Sequence, residues 1–408
     1  MSKKKAIILT ALITFAATAI VMLGGTYLYL SDLPALLGIP VKGSYSSAAL
    51  QRAAKMIENT YYEDVDQETL YEGAIEGMVN ALGDEYSWFV NEESYQQLLS
   101  NTEGEYDGIG VTVSIDPADQ LITVIAPIED SPAYKAGLKP GDKIIAVDGK
   151  SVGYDNYREA INMMRGAAEG SGSELRLTLK RANEGDPAEL TLQREKIVMK
   201  TVKSRMLPND VGYVRITSFD DKTAEQFEQH LKSLGESSLK GLVIDLRNNG
   251  GGTLSSTEKI ADRLLPEGLI TYFEYKDGSK REFKSGPEFL DIPLAVIING
   301  ASASASEVLS GALRDHQRAT LVGEKSFGKG IVQTIYPFMT TQKGETAMYL
   351  TTARYFTPNG ECIHGKGIQP DIQVSLPEEL RGMNFDDMTL EQDVQLKTAW
   401  QEVLKKIS

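Results

Sequence analysis

"GEKSFGKGIVQTIYPF", residues 323–338, poses a choice between two folds. Its first eight letters come within one residue of a phosphate-binding loop, which takes Gly, four residues, Gly-Lys, then Ser or Thr. Gly323, Gly328 and Lys329 fit, but Gly330 stands where the magnesium-binding hydroxyl belongs. A phosphate loop also opens a helix, whose dipole and free N–H groups face the anion. Here a β-branched, roughly alternating run follows, which is a strand pattern. The apolar strand "GLVID" (241–245) ends in Asp, as a magnesium-holding strand does, but such strands are common in any α/β chain. The nucleotide reading is set aside, and Lys329 needs another task.

A lysine can act as a general base once burial lowers its pKa towards neutrality. Bulky Phe327 and the flanking Gly328 and Gly330 suit a lysine that substrate and backbone approach closely. Such a base needs a nucleophile, and "NGASASASEVLSGAL" (299–313) offers serines where the strand "PLAVIING" ends and a helix begins, near Ser304 or Ser306. A serine on a sharp strand-to-helix turn is exposed, and neighbouring N–H groups can stabilise an oxyanion. Ser304 with Glu307 three residues on is equally a helix capping box. On residues alone the two readings stand side by side.

Further out, the pattern is α/β over residues 199–376. "VGYVRITSF", "GLVIDL", "PLAVIING" and "RATLVGE" read as strands; "TAEQFEQHLKSL", "LSSTEKIADRLL" and "SEVLSGALRDH" read as helices. This alternation implies a parallel or mixed sheet with crossover helices. Residues 101–198 hold short strands ("IGVTV", "LITVIAP", "DKIIAVDG", "SELRLTLKR", "ELTLQ") around one helix, "DNYREAINMMRG". Residues 31–100 are mostly helical, a packing or dimerisation module, and 377–408 end in the amphipathic helix "TLEQDVQLKTAWQEVLKK".

Residues 1–30 carry Lys3, Lys4 and Lys5 before an uncharged run, 6–30, with Asp32 beyond it. At about 1.5 Å per residue this run spans a roughly 30 Å hydrocarbon core. Tyr27 and Tyr29 suit an interface, and the lysines favour a cytoplasmic N-terminus. The expectation is a single-pass cell-membrane anchor with the remainder extracytoplasmic. The alternative is secretion after signal cleavage near Ala19, where Ala17-Thr18-Ala19 resembles a cleavage site.

The net charge of −15, or −18 with those three lysines set aside, argues against nucleic acid as a partner. Cys362 is alone, so no internal disulfide forms. His230, His316 and His364 are scattered without metal-site spacing, and neither metal nor cofactor is expected.

"NGASASASEVLSGALRDHQRATLVGEKSFGKGIVQ" (299–333) resembles the signature of the C-terminal processing peptidases, or tail-specific proteases. The likeness runs from about 44 to 400 and takes in "VGYVRITSF", "GLVIDLRNNGGG" and "DVQLKTAWQEVL". It implies an α/β protease core with an inserted β-rich PDZ domain, helical N- and C-terminal segments, and a Ser–Lys pair. The nucleophile would be Ser304, the middle serine of S-A-S-A-S-E; the base Lys329; and Gln333 would orient the lysine amine. Positions 329 and 333 share a face if both lie on a strand. In "RNNGGG", Gly251 or Gly252 can turn a bare N–H towards a carbonyl oxygen, with the Ala305 N–H as second donor. The family shows R-N-N-P-G-G, so Gly250 replaces a proline. Without the resemblance this stretch is simply a tight turn. Glu307 reads as structural and Asp315 as supporting; the family carries acids at both positions.

"YDGIGV" resembles a PDZ carboxylate-binding loop, in which Gly108, Ile109 and Gly110 present N–H groups to a peptide's C-terminus while the peptide adds as a strand. "SPAYKAGLKPGDKIIAVDGKSV" resembles the core of such a domain. The resemblance makes this domain a regulator of access, gives Arg165 the part of an arginine that senses its position, and implies a homodimer formed through the helical ends. The expected partners are protein or peptide substrates with unstructured, apolar C-termini. A PDZ scaffold on an inactive protease fold is the alternative function, and the intact Ser304, Lys329 and Gln333 argue against it.

Overall fold

The computed structural model describes Thr18 and residues 46–407, apart from 167–169, 182–185 and 343. Save for Thr18, the expected membrane segment and the alternative cleavage site lie outside the described residues. Among those described, no helix is long and apolar enough to cross a membrane. The chain divides into two compact units after residue 89.

The first unit carries the helices Ser47–Thr60 and Gln67–Asn80. Each starts on a short polar side chain that accepts a first-turn N–H: Ser46 Oγ from Ala49 at 3.4 Å, and Asp66 Oδ2 from Thr69 at 3.1 Å. Their apolar faces stay largely open, with Leu50, Met56, Ile57 and Met78 exposed.

In the second unit a mixed six-stranded sheet forms the centre. The hairpin Val202–Leu207/Val211–Ile216 is antiparallel; Val211–Ile216, Gly241–Asp245, Leu294–Ile298, Ala319–Gly323 and Ile372–Gln373 then run parallel in that order. Gly241–Asp245 and Leu294–Ile298 are buried at every position because both faces of the sheet are covered. Leu242, Ile244, Val296 and Ile298 pack with the helices Thr223–Ser233, Leu254–Leu264 and Ala305–Asp315. Val243, Ala295 and Ile297 face the other way, onto Leu396, Ala399 and Val403 of the C-terminal helix Val394–Ile407. The strand–helix alternation is as expected.

Two features differ from expectation. A second, antiparallel sheet joins Ile331–Thr340, Glu345–Phe356, Gly268–Tyr275 and Lys280–Ser285. Only the first of these four strands was anticipated. The C-terminal segment is also less helical than expected, since residues 381–393 are mostly turns and only Val394–Ile407 forms an α-helix.

The β-rich module sits between the helix Glu92–Glu103 and the central sheet. It has its own core, including Ile122, Ile144, Leu175, Leu177 and Met164. The ribbon Glu105–Gly108/Glu195–Val198 carries the chain in and out of it.

Candidate active site

The strand Leu294–Ile298 passes to the helix Ala305–Asp315 through a turn fixed by its own polar groups. Asn299 N–H donates to Ser302 Oγ at 2.9 Å, and Ser302 N–H returns to the Asn299 carbonyl at 2.8 Å. Ala303 N–H donates across to the Asn249 carbonyl at 3.0 Å. At the end of this turn Ser304 takes φ +54° and ψ −114°. A residue bearing a Cβ holds such a conformation only where its surroundings over-determine it. Here they do: Ser304 N–H donates to Glu307 Oε2 at 2.9 Å, and its carbonyl accepts from the Tyr355 hydroxyl at 3.1 Å. A serine on a strained strand-to-helix turn has the geometry of a nucleophile elbow.

Glu307 does more than the structural part expected of it. Its carboxylate is fully buried and joins two separate stretches of chain. Oε1 accepts from Ser326 Oγ at 2.5 Å and Gly328 N–H at 2.8 Å, while Oε2 accepts from Ser304 N–H and Lys329 N–H, both at 2.9 Å. Burial pushes its pKa above the ordinary value, and these four donors pull against that rise. Asp315 lies at the far end of the same helix, holding Arg314 and the Asn359 N–H.

Lys329 is not on a strand. The strand begins at Ile331, and a register shift between Val332 and Gln333 breaks the alternation on which the shared-face argument relied. Gln333 Nε2 donates to Thr351 Oγ1 at 3.3 Å. What brings the residues together is a cavity of about 480 Å³ lined by Ser304, Ala305, Lys329 and Gln333. Leu98, Phe273, Val308, Ile331, Ile335 and Tyr349 make its walls largely apolar. Gly330 is required by packing, since a Cβ there would lie 2.5 Å from the His364 nitrogen.

Of the two candidate loop glycines, Gly251 directs its N–H to Asn249 Oδ1 at 2.9 Å. Its place is steric. At φ +101° a Cβ would lie 2.8 Å from Ser304 Cβ and 2.9 Å from the Ala305 nitrogen. Gly252 lines the cavity, as does Gly250. Ala305 is the first residue of its helix, so its N–H has no intrahelical acceptor.

The Asp that ends "GLVID" is occupied as well. Asp245 is fully buried and accepts from Arg247 Nε at 2.9 and 3.0 Å and from the Tyr213 hydroxyl at 2.7 Å. Burial raises its pKa, but the Arg247 guanidinium overrides this and holds the carboxyl below its usual range.

Gly108, Ile109, Gly110 and Arg165 are not among the residues that line this cavity. The Ile109 and Gly110 carbonyls accept from Ala133 and Ile128 N–H, both at 2.8 Å, and Ser131 Oγ donates to the Gly110 carbonyl at 2.9 Å. The adjoining strand Val111–Ile115 is at the edge of the module's sheet. Arg165 ends the helix Tyr157–Arg165, its guanidinium over the Tyr106 ring at 5.2 Å on the ribbon that enters the module.

A strained serine and a lysine line one apolar-walled cavity beside an α/β sheet, an arrangement suited to attack by a side-chain nucleophile. Comparison with known proteins narrows that chemistry. Residues 210–374 match the model of peptidase family S41, 123–181 that of the PDZ domain, and 42–94 that of the activating protease CtpB N-terminal domain. The chain is 39% identical over 344 residues to a carboxy-terminal-processing protease of Bartonella bacilliformis, covering 82% of this chain and 76% of that one. It is 37% identical over 331 residues to the carboxy-terminal processing protease CtpA of Bacillus subtilis, covering 81% and 69%. A solved chain from Bacteroides fragilis, described as an S41 protease, shares the fold, with a TM-score of 0.53 at 16% identity over 90% of this chain and 100% of that one. The chain belongs to the carboxy-terminal processing peptidases of family S41, and it is a serine peptidase with a PDZ domain.

Sequence reasoning did not find the four-donor role of Glu307, the Tyr355 hydroxyl on Ser304, or the burial of Arg247. The spacing S-x-x-E was the only signal, and it pointed to capping alone.

Proposed function

We propose that the protein is a membrane-anchored, extracytoplasmic endopeptidase in which Ser304 is the nucleophile and Lys329 the general base, acting on proteins whose apolar C-terminal tails the PDZ domain recognises. Neutral Lys329 takes the Ser304 proton as Oγ attacks the scissile carbonyl. The N–H of Ala305 and an amide of the loop 250–252 hold the oxyanion, with Gly252 the favoured donor because Gly251 is engaged by Asn249. The proton passes to the leaving amine, and water then releases the acyl-enzyme. Gln333 orients the lysine, and the apolar walls favour small and medium apolar side chains beside the cut. The tail's carboxylate binds at the amides of residues 108–110, and the tail adds to the edge strand Val111–Ile115. Arg165, stacked on Tyr106, senses the domain's position, and the helical ends form a homodimer.

The observation that carries this reading is the single cavity shared by Ser304, Lys329 and Gln333, with Ser304 held in a strained turn. The test is cleavage of an unfolded protein with an apolar C-terminus. Wild type is expected to cut it, while Ser304→Ala and Lys329→Ala bind the tail without cutting. Peptidase activity that survives either substitution refutes the pair. Tail binding by a wild type that never cleaves supports the scaffold alternative.

A further inference from the structure

Arg247 opens the loop that runs past Ser304. Its guanidinium is fully buried and is held on two sides by carboxylates. Asp245 is one. The other is Asp393, 146 positions further along the chain, whose Oδ1 accepts from Nη1 at 2.9 Å and whose Oδ2 accepts from Nη2 at 2.7 Å. Asp393 Oδ1 also accepts the Leu396 N–H at 3.0 Å, capping the C-terminal helix Val394–Ile407. Gln395 Oε1 accepts from Arg247 Nη1 at 3.0 Å, and the Phe385 ring centroid lies 3.9 Å from the guanidinium carbon.

Asp245 alone balances the charge of Arg247. A second buried carboxylate adds a desolvation penalty without being needed for neutrality. Its effect is geometric, because two bidentate carboxylates fix a planar guanidinium in position and rotation. From Arg247 the constraint runs through a short chain of contacts. The Asn249 carbonyl accepts from Ala303 N–H at 3.0 Å and Ser306 Oγ at 2.9 Å, on either side of the nucleophile. Asn249 Oδ1 holds the Gly251 N–H, and Gly251 packs directly on Ser304. A displacement of Arg247 therefore moves the loop relative to Ser304 Oγ.

We propose that Asp393 is a positioning residue for the peptidase reaction: through Arg247 it sets the pose of loop 247–252 against Ser304, so that the active site is complete only when the C-terminal helix is docked. This rests on the assignment of Ser304 and its facing loop made above.

The test is Asp393→Asn in the full chain. The amide is nearly isosteric and leaves Arg247 neutralised by Asp245, so the fold has no uncompensated charge. Its NH₂ donates and cannot accept from the guanidinium, so the bidentate contact is lost. The kcat for a fluorogenic peptide with an apolar C-terminus is expected to fall by about tenfold or more, a fraction of the effect of deleting an oxyanion donor. KM stays within about twofold. Affinity for a peptide aldehyde, which forms a tetrahedral adduct with the serine, falls in step with kcat. Binding of the uncleaved peptide, compared between Ser304→Ala and Ser304→Ala/Asp393→Asn, stays unchanged. Asp393→Glu, which keeps the carboxylate, recovers part of kcat.

A merely structural role would lower the melting temperature and leave kcat per folded molecule at the wild-type value, and that result overturns the proposal. Asp393→Glu, which keeps the charge but displaces the carboxylate by one methylene, serves if Asp393→Asn does not fold; a several-fold loss of kcat at unchanged KM is expected, and a wild-type kcat again overturns the proposal. Ser304→Ala run alongside separates the two failures. Activity surviving it sinks the serine assignment, whereas an inactive Ser304→Ala beside a fully active Asp393→Asn sinks the positioning role alone.

Discussion

Glu307 gives the sharpest prediction, because its replacement by Gln and by Ala should differ for a countable reason. The carboxylate accepts from three main-chain N–H groups, those of Ser304, Gly328 and Lys329, and from the Ser326 hydroxyl. In Glu307→Gln the best orientation keeps the oxygen on the side of Ser304 and Lys329 and places the amide NH₂ towards Ser326 and Gly328. The hydroxyl can turn to accept, so one buried N–H is left without a partner. That costs about 1–3 kcal/mol. Glu307→Ala strands all three amides and opens a void, so its cost is about 3–9 kcal/mol, which is comparable to the whole stability of a domain. At about 2–4 °C per kcal/mol, Gln lowers the melting temperature by several degrees and Ala prevents folding or lowers it far more. Peptidase activity per folded molecule should fall in Glu307→Gln, because the Gly328 amide lies next to Lys329. The assay is thermal unfolding by circular dichroism beside peptide hydrolysis on the same samples. An alanine variant that melts within about 1 kcal/mol of wild type and retains its activity would refute the clamp.

Three further outcomes follow from the geometry. Gly250→Ala should be silent, because nothing lies within 4 Å of a Cβ there, whereas Gly251→Ala meets Ser304 and the Ala305 nitrogen at φ +101° and should lose activity; kinetics on the pair decide it. Gly330→Ser, which completes the phosphate-loop pattern, should give no ATP binding by calorimetry and should lower the melting temperature, since its Cβ would meet the His364 main chain at 2.5 Å. Burial raises the Asp386 carboxyl, but hydrogen bonds from Lys203 and Arg215 outweigh this and hold its pKa below the ordinary 3.8. A lowered carboxylate pKa contributes stability above the unfolded value that is lost as pH falls through the folded one. Asp386→Asn should therefore be less stable than wild type at neutral pH, and urea titrations should show the gap closing below about pH 3.8.

Most of the central sheet was legible because its signals are local. "GLVID" and "LAVII" are unbroken apolar runs, as strands covered on both faces must be. The missed strands Gly268–Tyr275 and Glu345–Phe356 mix buried and half-exposed positions, so neither alternation nor a continuous apolar run marks them. The lysine was placed on a strand because the run after it is one, but the bulge at Val332/Gln333 is a property of the pairing with Glu345–Phe356, which no local pattern records.

The sequence by itself determined that "GEKSFGKG" does not open a helix, since the β-branched run from Ile331 commits the next residues to a strand. It also determined that a serine-rich turn precedes a helix. Only the tertiary structure decided that Ser304 and Lys329 share a cavity, that one buried carboxylate holds both segments, and that Gly251 packs on Ser304 with its N–H held by Asn249. The physical reason is range. Backbone preference and hydrophobic periodicity act over a few residues, whereas the hydrogen bonds of Glu307 span about twenty positions and the pair Arg247–Asp393 spans 146; both form only after the sheet has brought those segments together.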